Sequence, residues 1–93
     1  MWILQGGDAP LVFRVSPGGI KTIGRATGAD FVLDAALVSR LHCRLEAGAD
    51  GVDVIDLDST NGTYVNDQRV DRARLAPGDR LRVGRVELTI QRA

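Results

Sequence analysis

The chain has 93 residues, of which 44% are hydrophobic and 26% charged, enough for one small domain with a single core and too apolar for a disordered segment. Twelve basic residues cancel twelve acidic ones, so no global field draws the chain onto nucleic acid or anionic lipid, and only local patches remain to act. The lone Cys43 excludes an internal disulfide; with no charged n-region leading into an apolar segment and no apolar run of membrane-spanning length, the expected setting is the cytoplasm, without a membrane partner.

Apolar residues come in short bursts separated by turn chemistry, and the 3.6-residue spacing of an amphipathic helix is almost nowhere present. Met1 to Gln5 and Leu11 to Ser16 pair around Gly6-Gly7-Asp8, and Ser16-Pro17-Gly18-Gly19 turns the chain into a strand from Ile20 to Gly24. Phe31 to Leu33 is a short strand. From Leu41 to Ala47 the alternation puts Leu41, Cys43 and Leu45 on one side and His42, Arg44 and Glu46 on the other. Gly48-Ala49-Asp50-Gly51 closes a hairpin into Val52 to Leu57. Tyr64-Val65 and Arg69-Val70 flank Asn66-Asp67, two residue types that tolerate positive φ in a tight turn. Ala76-Pro77-Gly78-Asp79 turns into Arg80 to Val83, and Val86 to Ile90 closes the sheet. About ten short strands imply a sandwich, whose end loops bring distant residues together.

Three of those loops concentrate groups that bind oxyanions: Gly24-Arg25, Ser39-Arg40-Leu41-His42, and Ser59-Thr60-Asn61-Gly62-Thr63. Small hydroxyls, one early Arg and turn-forming Gly residues are what a rigid loop site needs to grip a dianion with short charge-assisted hydrogen bonds. Eleven of the twelve cations are Arg, a fork suited to phosphate, although a GC-rich genome gives the same bias. Each residue also has an ordinary reading. Arg25 and Arg40 as solvated charges, Ser39 as a cap, Thr60 as a loop's own partner, and Asn61-Gly62 as a type I′ turn are all common.

Other chemistries fare worse. His42 beside Cys43 lacks any further His or Cys, so no metal site with imidazole and thiolate ligands is expected. Asp56-Leu57-Asp58 followed by Gly62 misses the calcium-loop spacing by one place, with Thr60 where an acid belongs. Ser39 and His42 stand three apart with no third orienting group, no P-loop lysine motif exists, and Cys43 falls on the buried side of its strand, so neither a hydrolase nor a phosphatase is visible. Four aromatic residues and neutral charge disfavour nucleic acid.

The order Gly24-Arg25, Asp30-Phe31-Val32-Leu33, Ser39-x-x-His42 and Ser59-Thr60-Asn61-Gly62-Thr63, spanning nearly the whole chain, resembles the forkhead-associated (FHA) domain. The resemblance implies a single domain over residues 1–93, folded as a two-sheet antiparallel β-sandwich of about 11 short strands. It implies a non-catalytic module that needs no cofactor and recognises phosphothreonine in a protein or peptide, with the partner separate or part of the same parent protein. By the same resemblance Arg25, Ser39, Arg40 and Thr60 would contact phosphate, and Asn61 the peptide main chain. Gly24, His42 and Gly62 would form the scaffold, with His42 largely buried and tying the loops together. Leu37, two residues before Ser39, would read the third residue after the phosphothreonine and select an aliphatic or aromatic one. Leu41 departs from the Arg or Lys common there, which either thins the cationic rim or reflects inward packing. The rival expectation is an assembly module that uses a face of the sandwich without phosphate. A chain that begins and ends at outer strands reads as a module excised from, or appended to, a larger protein.

Overall fold

The computed structural model describes residues 1–6 and 11–93. All regular structure among them is strand: β1 Trp2–Gly6, β2 Val12–Val15, β3 Ile20–Gly24, β4 Phe31–Val32, β5 Cys43–Ala47, β6 Val52–Asp56, β7 Thr63–Val65, β8 Gln68–Val70, β9 Arg72–Leu75, β10 Arg80–Val83 and β11 Val86–Arg92. They form a six-stranded sheet, β2-β1-β11-β10-β7-β8, packed on a five-stranded one, β4-β3-β5-β6-β9. No helix among the described residues is long and apolar enough to cross a membrane.

Alternation builds the core, because every second side chain of a strand faces the opposite sheet. Leu4, Leu81, Val83, Leu88 and Ile90 come from the larger sheet; Ile23, Leu45, Val52, Val54 and Leu75 come from the smaller. Cys43 joins them fully buried, and burial, aided by the Asp56 charge, pushes its thiol up to about 12. The Phe13 and Phe31 rings stack across the two sheets with centroids 4.4 Å apart, and buried Trp2 donates its indole N–H to the Gly48 carbonyl at 2.8 Å.

Three details depart from the sequence reading. Arg72–Leu75 is a strand, β9, which pairs antiparallel with β6 and completes the smaller sheet. Its single Leu among two Arg and an Ala hides a half-buried edge strand from a hydrophobicity pattern. The sandwich is not wholly antiparallel, since β3 and β4 pair in parallel through Ile23 with Phe31 and Gly24 with Val32. The crossover is clamped by Asp30, whose carboxylate accepts from the Thr22 amide at 2.9 Å and from its hydroxyl at 3.2 Å; the amide bond is the main cause that lowers the Asp30 pKa. Finally, Leu41 is 49% exposed rather than inward, because β5 starts only at Cys43 and the alternation does not extend back to it.

The expected turns are otherwise present. Asn66 and Asp67 adopt φ of 49° and 69°, the paired left-handed residues of a two-residue hairpin between β7 and β8. Gly48 donates to Gly51 at 2.8 Å in the hairpin joining β5 and β6. The turn expected at Gly6-Gly7-Asp8 lies partly outside the described residues.

Candidate functional site

The parallel β3–β4 pair and the antiparallel β3–β5–β6 set place the ends of these strands together at Gly24, Val32, Cys43 and Asp56. The segments that leave them therefore meet: 25–30, 33–42 and 57–62. The last of these crosses to the larger sheet through β7, which lies beside β10.

His42 is the junction. Its side chain is fully buried, its Nδ1 accepts the Ser39 amide at 3.0 Å, and its Nε2 lies 2.8 Å from the Gly62 carbonyl oxygen. An acceptor at Nδ1 and a carbonyl at Nε2 require the Nε2–H tautomer, which donates to Gly62. Its own backbone amide donates to Ile23 and its carbonyl accepts from Leu57, so one residue connects β3, the 33–42 segment and the 57–62 loop.

Gly24 and Gly62, the two glycines expected as scaffold, sit in different backbone settings. Gly62 adopts φ of 88°, a region unfavourable to side chains. Gly24 has no such φ; a methyl there would fall on the Arg40 carbonyl group, so its role is close approach, which lets Arg25 and Ala26 donate to the Ser39 and Arg40 carbonyls at 2.9 and 3.1 Å.

Around this frame lies an open cleft of about 470 Å³ lined by Arg25, Leu37, Ser39, Thr60 and Asn61, together with Asp34, Ala35, Ala36 and Val38. Arg25 donates its Nε to the Val38 carbonyl at 3.1 Å, which fixes the guanidinium and leaves the terminal nitrogens as donors. The Ser39 hydroxyl oxygen accepts the Thr60 amide at 3.1 Å, so its own proton remains to be donated elsewhere. Asn61 donates to the Leu37 carbonyl at 3.2 Å and keeps one N–H and its carbonyl oxygen. Leu37 holds φ of 69°, uncommon for a side chain of its size. Arg40 stands apart from this cleft: with Arg25, Ala26 and Thr27 it lines an adjoining depression of about 330 Å³.

The half-buried Asp56 and the buried Ser59 and Thr63, to which the sequence assigned no supporting role, brace the 57–62 loop. The Asp56 carboxylate accepts from the Ser59 hydroxyl at 2.6 Å, the Thr63 hydroxyl at 2.7 Å and the Ser59 amide at 3.1 Å. The Ser59 oxygen in turn accepts the Gly62 amide at 3.0 Å. An Asp and a Ser each capturing an amide three residues on is the local pattern that would have revealed it. Burial raises the Asp56 pKa, but the Ser59 and Thr63 hydroxyls outweigh it and the net direction is downward. A carboxyl depressed on folding stabilises the fold above the unfolded value, about 3.9, and that contribution disappears as pH falls through the lower folded value. The urea midpoint should therefore drop steeply below about pH 4, and Asp56→Asn should lower it at neutral pH while flattening that acid limb. An unchanged acid limb in the variant would remove Asp56 from this role.

The fold and this loop-end cleft together define a β-sandwich domain whose site is built from connections rather than from sheet faces. The FHA domain model matches residues 21–84, and the chain belongs to that family. It is 40% identical over 88 residues to the ABC transporter ATP-binding/permease protein Rv1747 of Mycobacterium tuberculosis, covering 95% of this chain and 10% of that protein. It is 36% identical over 94 residues to the glycogen accumulation regulator GarA of the same species, covering 91% of this chain and 58% of GarA. The chain thus spans between a tenth and somewhat more than half of these curated relatives. Among solved structures, an FHA domain from a structural and functional analysis of phosphothreonine-dependent FHA domain interactions superposes with TM-score 0.91 at 33% identity, covering 99% of this chain and 96% of that one. The FhaA FHA domain complexed with the intracellular domain of Rv3910 gives TM-score 0.90 at 34% identity, covering 98% and 100%.

Proposed function

We propose that residues 1–93 act as one phosphothreonine-binding unit that recruits a Ser/Thr-kinase-modified protein, or a phosphorylated segment of its own parent protein, in cytoplasmic signalling. The observation that carries this reading is the Ser39 hydroxyl, whose acceptor role is filled by the Thr60 amide while its proton stays available, in the same cleft as the anchored Arg25 guanidinium. A dianion there meets two donor types without any rearrangement of the loops. Arg25 and Ser39 take phosphate oxygens, Thr60 adds a hydroxyl, Arg40 contributes charge from the side, and Asn61 bonds the ligand's main chain. Similarity to an FHA domain studied for phosphothreonine-dependent interactions supports the ligand class.

Binding without catalysis follows from how the reactive groups are committed. Both His42 nitrogens are occupied by loop backbone, so the ring has no free lone pair to activate the Ser39 hydroxyl. The Cys43 thiol, buried and raised to about 12, is not a nucleophile near neutrality. Among the described residues, the exposed large apolar side chains are divided among Met1, β2, β3, β4 and the site loops, a distribution that does not favour the phosphate-independent assembly reading.

Titration of phosphothreonine, phosphoserine and unphosphorylated versions of one peptide pool at physiological salt tests the function. Binding should require phosphate and favour phosphothreonine about fivefold, the worth of one methyl in an apolar notch. Leu37, 44% exposed and uncharged at the cleft edge, should select an aliphatic or aromatic residue at the third position downstream. A pool in which acidic residues win at that position removes Leu37 from selectivity, and a folded protein that ignores the phosphate sends the function to a sheet face.

A further inference from the structure

We infer that Arg69, supported by Tyr64 and Arg82, forms a second cationic subsite that reads an acidic side chain of the same phosphopeptide. This rests on the phosphothreonine reading of the cleft. Arg69 lies on β8 directly opposite Tyr64 of β7, and its guanidinium packs against Gly62: a methyl added there would sit 2.8 Å from Nε and 3.1 Å from Cζ. Gly62 immediately follows Thr60 and Asn61, which line the cleft. Arg69 therefore approaches the 57–62 loop from the six-stranded sheet, whereas Arg25 approaches the cleft from β3 of the five-stranded one.

The row continues across the sheet. Arg82 is the partner of Tyr64 on the other side, in β10, and its guanidinium lies 4.1 Å from the Tyr64 ring centroid. Glu87 is paired in register with Arg82, yet Arg82 stacks on the ring and forms no ion pair among the described residues. Carboxylates elsewhere are consumed differently: Asp53 holds Arg72 and Arg74, Asp67 holds Arg80, and Glu46 holds Arg44. Neither Arg69 nor Arg82 takes part in these pairs. Tyr64 lies in register between Arg69 and Arg82, next to the loop that carries Thr60 and Asn61 of the cleft, and guanidinium groups placed there are complementary to an acidic side chain of a peptide bound in it. The Tyr64 ring holds the Arg82 guanidinium by stacking, which lowers the entropy cost of ordering that side chain against a ligand.

Phosphothreonine peptides with one Glu placed at each flanking position in turn, and the third downstream residue held aliphatic, are titrated against the parent, Arg69→Gln, Arg69→Lys and Arg25→Ala proteins. The parent should prefer Glu over Gln at one or two positions by about threefold to fivefold, an exposed ion pair's worth, and the preference should fade as ionic strength rises from about 0.05 to 0.5 M. Arg69→Gln should abolish the preference while its affinity for the Gln peptides stays within about twofold; Arg69→Lys should keep part of it. Phosphate-dependent binding with no Glu preference in the parent, or a preference that survives Arg69→Gln, overturns the subsite and leaves the phosphothreonine reading standing. Absence of phosphate-dependent binding overturns both.

Discussion

Arg25→Ala should bind a phosphothreonine peptide about 30-fold to 1000-fold more weakly than the parent, a loss of roughly 2 to 4 kcal/mol, and should melt at nearly the same temperature. The asymmetry follows from where Arg25 sits. It lies just past the end of β3 and is exposed, with a single side-chain bond to the Val38 carbonyl, so the fold loses little when the guanidinium goes. The ligand loses the only cation that lines the main cleft among the described residues, since Ser39, Thr60 and Asn61 are neutral and Asp34 is acidic. Isothermal titration with the same peptide, paired with a thermal melt, checks both halves. Retained affinity in a folded variant would show that Arg40 or another cation holds the phosphate. Arg25→Lys should recover part of the binding, because a point charge replaces the attraction but not the two-pronged geometry.

His42→Ala should fail in the opposite manner, losing stability first and binding as a consequence. The ring is fully buried and satisfies the Ser39 amide and the Gly62 carbonyl at once. Truncation leaves both unpaired inside the protein, at a combined cost of about 3 kcal/mol, or a fall in Tm of roughly 15 °C for a domain of this size. The binding defect has a geometric cause: without the ring, Ser39 and the 57–62 loop lose the link that sets their separation. Measuring Tm alongside peptide affinity at a temperature where the variant is still folded separates the two effects. A melting curve that overlays the parent's would end the scaffold role, whatever binding does. The contrast between the variants is the sharper test, since Arg25 should separate binding from stability and His42 should not.

Much of the fold was legible because its strands obey the two-residue period and its turns carry Gly, Pro, Asn and Asp where the backbone needs them. The Asn66-Asp67 hairpin and the Gly48 to Gly51 turn are local chemistry, readable without neighbours. β9 was not legible, because Arg72–Leu75 is an edge strand whose pairing with β6 supplies the order that its own side chains do not advertise. Leu41 misled for a related reason: strand alternation was extended two residues beyond the point where β5 actually begins. The parallel β3–β4 pairing also lay beyond the sequence, since a two-residue strand carries no directional signal and its partner is set by the fold around it.

The site divides in the same way. By itself the sequence determined which residue types are available for the proposed phosphopeptide, Arg25, Ser39, Arg40, Thr60 and Asn61, because oxyanion recognition demands particular donors and these stand in turn-forming contexts. Only the tertiary structure decided that four of them line one cleft and that Arg40 falls beside it. It likewise decided that Gly24 matters for the close passage of the Arg40 carbonyl, that Asp56, Ser59 and Thr63 bond one another beneath the loop, and that Arg69 packs on Gly62 from the neighbouring strand β8. The physical reason is range. Donor chemistry and turn preference belong to single residues and their near neighbours, whereas the distance between two loops is set by the packing of the sheets that carry them.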